Sequence, residues 1–253
     1  MGANPGPLGS SDVSDSPAGP PERAVDRHPH LARPLRPGWV RVDMHSHTMW
    51  SGDSTTTPDE IHEAMVDCGI DVVCITDHNA IAGAIELART LPCRVIVGEE
   101  LRTQLGEIIG LFLTERVPFG VGPREAAERI RAQGGVVYVP HPFDPMRSNL
   151  RADVIDELVA DGLVDAIEVR NGKTSLDHLN QQAADYAAEH GLLAGAGSDA
   201  HVPTAWGCAY VEMPDFDGPE SFKESLAQGE VVGHFFDRAR PWSARILPSI
   251  RTT

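Results

Sequence analysis

The sequence predicts an α/β fold whose largely parallel sheet closes into a barrel, and three observations carry that expectation. Strand signals and amphipathic helix signals alternate about seven times after residue 38. Five strand signals in succession finish in His, Asp or Glu, groups that a closed ring gathers at one mouth and an open sheet spreads apart. A glycine-rich phosphate loop of the dinucleotide or P-loop kind is missing.

Residues 1–38 are rich in Pro, Gly, Ser and Asp with little periodic apolar signal, so a disordered tail is expected there and a single folded domain over 39–253. His28 and His30 fall in that tail, where no strand carries them.

Trp39-Val40-Arg41-Val42 reads as a short strand and delivers Asp43-Met44-His45-Ser46-His47. In an extended chain, side chains two residues apart share a face, so His45 and His47 can grip one cation while Ser46 looks away. Ser51-Gly52-Asp53-Ser54 reads as the loop that curls Asp53 back over the strand end.

Thr57-Pro58-Asp59-Glu60 is a capping box with Pro at the first helical position. Ile61, Ala64, Met65 and Cys68 then form an inward stripe that stops at Gly69 and leaves His62 toward solvent. Val72 to Thr76 is a continuous apolar strand ending in Asp77-His78, and a helix follows over 80–90. Arg94 to Gly98 leads to Glu99-Glu100. Pro123 starts a helix with Ala126, Ala127 and Ile130 inward and Gly134-Gly135 at its end. Val136 to Pro140 delivers His141.

Ala166 to Val169 is the next strand, with Glu168 turned to orient a ligand histidine and with Arg170 and Asn171 at its end. Leu176, Leu179, Ala183, Tyr186 and Ala187 mark a longer helix closed by Gly191, placing His178 and His190 on the surface. Leu192 to Ala196 leads into Gly197-Ser198-Asp199-Ala200-His201, a second pair of ligand-type residues at spacing two. A helix near 219–228 and a strand from Val231 to Phe236 complete the pattern.

Composition narrows the function. With 41% hydrophobic and 23% charged residues the chain is a soluble globular protein, and its formal charge of −16 argues against a long nucleic-acid partner, which needs clustered Lys and Arg. Cys68, Cys74, Cys93 and Cys208 show no CxxC pairing and read as free thiols of a reducing compartment. No stretch spans a bilayer and the start lacks a basic segment followed by an apolar run, so neither a membrane partner nor a signal peptide is expected and the location is cytoplasmic. The oligomeric state is open.

In their order, Asp43-Met44-His45-Ser46-His47, Thr76-Asp77-His78, Gly98-Glu99-Glu100, His141-Pro142 and Gly197-Ser198-Asp199-Ala200-His201 resemble the PHP (polymerase and histidinol phosphatase) family of metal-dependent phosphoesterases. The resemblance covers roughly residues 40–240 and rests on all five motifs together. It implies a distorted seven-stranded β/α (TIM-like) barrel of the PHP type with two or three divalent metal ions at its mouth. Carried over, it places one ion on His45, His47, Glu100 and Asp199, a second on Glu100 and His141, and a third on Asp53, His78 and His201.

The chain departs from the family where Glu107 replaces a histidine; as a ligand this carboxylate would favour Mn²⁺ or Mg²⁺ over Zn²⁺, with Fe²⁺ a further option. The expected chemistry is attack by a metal-bound hydroxide on the phosphorus of a small phosphorylated metabolite or nucleotide. Arg147, in the loop after His141, is the candidate to stabilise charge on the phosphoryl oxygens, with Arg170 a second, and Asp77 is the candidate catalytic carboxylate beside His78. Trp50 and Trp206 are candidates to wall the mouth. The rival readings are a carbon–nitrogen hydrolase, a nuclease on short oligonucleotides, and a non-catalytic metal-binding regulatory domain.

Overall fold

Strand signals that end in ligand residues become neighbours in one sheet. The computed structural model describes residues 22–236, and its strands are β1 (Trp39–Ser46), β2 (Val72–Ile75), β3 (Arg94–Thr103), β4 (Gly106–Leu111), β5 (Val136–Val139), β6 (Ala166–Asn171), β7 (Leu193–Gly197), β8 (Ala209–Pro214) and β9 (Glu230–Gly233). Their order across the sheet is β7-β6-β5-β4-β3-β2-β1-β8-β9. The run β1 to β7 curls into a nearly closed barrel. Its two ends meet where Ser46 and Ala200 pair in parallel, with the Asp199 N–H donating to the His45 carbonyl at 2.7 Å and the His47 N–H to the Ala200 carbonyl at 3.1 Å.

The seven barrel strands expected are thus β1 to β7, while β8 and β9 extend the sheet antiparallel beyond β1. The barrel itself is not parallel throughout: β4 runs antiparallel to both β3 and β5. The cause is local. β3 and β4 are joined by the two residues Gln104 and Leu105, too few for a crossover helix, with Thr103 paired to Gly106. Gly106 sits at φ +131°, and a Cβ there would lie 2.5 Å from the Asn149 carbonyl, so the turn demands glycine. Because β4 runs against β3 and β5 and starts at the end where they finish, Glu107 reaches the same rim from a strand's beginning.

Helices cover the outside of the barrel. α2 (Pro58–Cys68) forms the expected capping box: the Thr57 N–H donates to Glu60 at 2.9 Å, the Glu60 N–H returns to Thr57, and Gly69 closes the helix at φ +62°. Ile61, Ala64, Met65 and Cys68 are buried as the stripe requires. α3 (Ala82–Thr90), α4 (Pro123–Ala132), α6 (Asp177–His190) and α7 (Pro219–Leu226) fall where the sequence places them. α5 (Ala152–Ala160) was not anticipated; it buries Val154, Ile155 and Leu158. Each such side chain removed from water contributes about 1.5–3 kcal/mol before ordering costs.

Within the segment composed like a tail, residues 22–38 include α1 (Ala24–Arg27) and a 3₁₀ turn over Pro29–Ala32. They pack on the barrel through specific polar partners. The Ala24 N–H donates to Asp67 at 2.9 Å, and His28 and His30 reach the carbonyls of Thr204 and Gly207 at 3.0 and 2.8 Å. The remainder of the expected tail and the end of the chain past Phe236 lie outside the described residues. Trp206 is wholly buried in the core, and Trp50 packs its ring on Gly83.

Candidate metal centre

Glu100 is the hub of the rim. Its Oε2 lies 3.4 Å from His45 Nε2, 3.2 Å from His47 Nε2 and 3.1 Å from His78 Nδ1, and its Oε1 lies 3.0 Å from His141 Nε2. Alternation along β1 puts both histidines on this side, while the Ser46 hydroxyl points elsewhere and donates to the Cys74 carbonyl. His78 follows β2 and bridges in parallel to Glu100. The loop after β1 brings Asp53 Oδ2 to 3.3 Å from His78 Nε2 and 2.9 Å from His201 Nε2. Asp199 Oδ1 lies 3.4 Å from His47 Nε2, and Glu107 lies 3.9 Å from His141 and 4.0 Å from His78.

All nine metal-ligand candidates, His45, His47, Asp53, His78, Glu100, Glu107, His141, Asp199 and His201, therefore meet at one mouth. Four groupings have ligand atoms within 4.8 Å of one another: His47, Asp53, His78 and His201; His45, His141 and Asp199; His45, His47 and Glu100; and His78, Glu100 and Glu107. The expected trio of Asp53, His78 and His201 recurs with His47 added. Asp199 groups with His45 and His141, and Glu107, about equally far from His78 and His141, groups with His78 and Glu100.

The donor set fits divalent cations. His45 Nε2 and His47 Nε2 converge to 3.1 Å, and neighbouring ligand atoms on a first-row cation lie roughly 3 Å apart given bonds of about 2.1 Å. Two neutral imidazoles presenting lone pairs at that distance repel unless something positive lies between them.

The groups behind the ligands are equally ordered. Glu168 Oε1 lies 3.2 Å from His45 Nδ1, its Oε2 accepts the His141 N–H at 2.7 Å, and Asn171 Nδ2 donates to it at 3.0 Å. The Ser51 hydroxyl meets His47 Nδ1 at 3.0 Å and accepts the His78 N–H, a support that no motif or periodicity announces. Asn79, His141 and Asp199 adopt left-handed φ of +53°, +29° and +50°. Such strain costs about 1–3 kcal/mol per residue and gathers at functional sites.

Charge is distributed unevenly. Burial alone would raise Glu100, yet the surrounding imidazoles hold it well below the usual carboxylate range. Burial would lower His45 and His47, but Glu100 and Asp199 lift His45 well above an ordinary imidazole and His47 to about 9. Glu107 is raised by burial and by the Glu100 charge, while His201 is lowered by burial and by His47. Beneath the rim, burial pushes the Asp43 carboxyl up to about 7.

The catalytic candidates divide. Arg147 reaches the mouth, with Nη2 3.5 Å from Asp199 Oδ2. Asp77 does not face the ligands: both its oxygens are taken by Thr48, whose N–H and hydroxyl donate at 2.6 Å, so it holds the loop after β1. Arg170 pairs with exposed Asp177 at 2.8 Å. Asn171 is buried among Glu168 and Asp199 rather than open to a substrate. Lys173 and Arg102, which the sequence reading did not single out, also line the mouth. Lys173 comes two residues after the end of β6, a place from which a side chain can reach the mouth as His78 and His141 do after β2 and β5.

A barrel whose rim gathers imidazoles and carboxylates from several strand ends has the donor set of a divalent-metal centre. The PHP domain model matches residues 43–134, and a PHP-associated model matches 177–231. A protein of Methanocaldococcus jannaschii is 34% identical over 196 residues, 74% of this chain and 79% of that one. The chain belongs to the PHP family.

A 3′,5′-nucleoside bisphosphate phosphatase of Chromobacterium violaceum is 36% identical over 81 residues, 31% of this chain and 27% of that protein. Among solved structures, a two-domain protein from Bacteroides vulgatus containing a predicted PHP-like metal-dependent phosphoesterase shares the fold. It superposes with a TM-score of 0.61 at 20% identity, covering 79% of this chain and 67% of that one. Among the described residues no helix is long and apolar enough to cross a membrane.

Proposed function

We propose that this protein hydrolyses the phosphate ester of a small phosphorylated metabolite or nucleotide, using two or three divalent cations held by the nine rim residues, with Mn²⁺ preferred. The observation that carries the proposal is Glu100, a single buried carboxylate placed among four imidazoles from three different strand ends. Glu107 in place of an imidazole adds a hard oxygen donor, which supports Mn²⁺ over Zn²⁺. We assign the protein to the cytoplasm, since its cysteines are unpaired thiols.

Divalent cations, when bound, lower the pKa of water and neutralise charge on phosphoryl oxygens. The chain does the rest. Glu100 fixes the spacing of the ligands around it, Glu168 and Ser51 hold the ring orientations of His45 and His47, and Asp77 keeps the loop bearing Asp53 against β2. Arg147 lines the mouth, and we assign its guanidinium the role of donor to a phosphoryl oxygen as charge grows there.

Elemental analysis of protein purified without chelators, paired with a phosphatase screen in Mn²⁺, tests the reading. His45→Ala and Asp199→Ala are expected to abolish turnover, whereas His62→Ala on α2 leaves it intact. Equal activity in all three refutes the site.

A further inference from the structure

We propose that Lys173 binds the phosphoryl group and, with Arg147, makes the mouth select phosphate monoesters over diesters; this rests on the phosphoesterase reading above.

The turn carrying Lys173 is fixed on every side. Its own N–H donates to Asn171 Oδ1 at 2.8 Å, the Gly172 N–H donates to the Gly197 carbonyl at 2.9 Å, and the Phe236 N–H donates to the Gly172 carbonyl at 2.7 Å. Thr174 donates to buried Asp144 at 2.8 Å. A Cβ on Gly172 would collide with Cys208 Sγ and lie 2.7 Å from the Ser198 carbonyl, so only glycine lets the turn sit this close to the end of β7. The lysine side chain is 11% exposed.

Its ammonium is not consumed by the residues around it. Nζ lies 3.1 Å from His201 Nδ1. That nitrogen is also 2.8 Å from the Asp199 carbonyl, and with Nε2 turned to a cation beside Asp53 the ring proton is held on Nδ1 and donated to that carbonyl. Lys173 therefore has no lone pair to donate to at His201. Asp199 Oδ1 is 3.7 Å away, beyond hydrogen-bonding distance, and the other oxygen of that carboxylate faces Arg147 at 3.5 Å.

Two cations thus share one carboxylate, and this edge of the mouth retains positive charge and free N–H donors. Arg102 differs, being held by Glu107 at 3.1 and 3.3 Å. The mouth is a small polar cavity of about 160 Å³, and Lys173 and Arg147 both line it.

A monoester brings a dianion with three terminal oxygens; a diester brings one charge and two. The extra oxygen and charge are what a second cation beside Arg147 recognises. In the hydrolysis a water oxygen forms a bond to phosphorus as the ester P–O bond breaks. One water proton leaves with the alcohol and inorganic phosphate remains. Lys173 stays protonated throughout.

The test compares Lys173→Met and Lys173→Arg with the unaltered metal-loaded protein on p-nitrophenyl phosphate and bis(p-nitrophenyl) phosphate. Calorimetric binding of inorganic phosphate and bound-metal content are read alongside. Lys173→Met should lower monoester kcat/KM about 100-fold and diester kcat/KM by less than about threefold, in line with loss of one oxyanion donor. It should also weaken phosphate binding at unchanged metal content, and Lys173→Arg should recover much of both.

Equal losses on the two esters, no loss, a fall in bound metal, or a preference of the unaltered protein for the diester each overturns the role of Lys173. Failure of the unaltered, metal-loaded protein to cleave either ester overturns the phosphoesterase reading itself.

Discussion

Glu168 stands directly behind His45, its Oε1 3.2 Å from the Nδ1 of the ring whose Nε2 faces Glu100. A proton held between Nδ1 and that carboxylate leaves the Nε2 lone pair turned to the mouth, and the negative charge makes the imidazole a stronger donor. Glu168→Gln keeps the shape and removes the charge. Metal affinity, measured by competition with a chromophoric chelator, should fall about 10–100-fold while the fold is retained. An unchanged affinity would show that His45 is oriented by packing alone.

Metal uptake should release protons. His47 is lifted to about 9 and His45 well above an ordinary imidazole, because Glu100 and Asp199, joined at His45 by Glu168, more than offset the burial that works against both charges. Near neutral pH the cation-free cluster therefore stores protons that a ligand imidazole must give up. Affinity should rise with pH up to about 9, where His47 loses its proton unaided. Calorimetry in buffers of different ionisation enthalpy measures the number released, and a value of zero near pH 7 contradicts this account.

Much of this site could be read from residue order, for a physical reason. His45 and His47 announce themselves through strand alternation, and His78, Glu100, His141 and Asp199 through their position after apolar runs. Glu107 reaches the rim only because the Gln104-Leu105 turn reverses β4, a consequence of pairing rather than of periodicity. Asp77 looks like a candidate by adjacency to His78, yet Thr48 claims both of its oxygens. Lys173 hides behind Asn171-Gly172, which reads as an ordinary turn. The placement of His28 was not legible at all, since its partner carbonyl on Thr204 is 176 residues away in the chain.

Barrel closure should fail if Gly197 acquires a side chain. A Cβ there would run into Cβ of His45, and it would lie 2.7 Å from the His45 backbone nitrogen and 2.9 Å from Glu168 Oε1. Gly197→Ala should destabilise the protein by about 1–3 kcal/mol, the usual range for overpacking, and weaken metal binding with it. Gly191→Ala is the control: its φ is +66° and nothing lies within 4 Å of an added Cβ, so the cost is backbone strain of about 1 kcal/mol with metal binding preserved. Urea midpoints and metal content together check both. Equal metal loss in the two variants would detach the closure contact from the site.

Stability should fall on acidification through the histidines that anchor the N-terminal segment. His28 is fully buried, bonded to the Thr204 carbonyl at 3.0 Å and to His234 at 3.3 Å, and stacked edge-on against Phe236. Burial lowers its pKa to about 4, with His234, His30 and Arg27 adding to the effect, and His30 and His234 are lowered as well. An unfolded chain takes up this proton near pH 6.5. Between those limits the unfolded state binds more protons, so stability is complete above about 6.5 and declines as pH falls toward about 4. His28→Gln keeps a donor for the Thr204 carbonyl and removes the titration. Urea unfolding of both proteins from pH 7.5 to 4.5 should show the unaltered protein losing more stability than the variant across that window. Parallel curves would mean that His28 already carries its proton when folded.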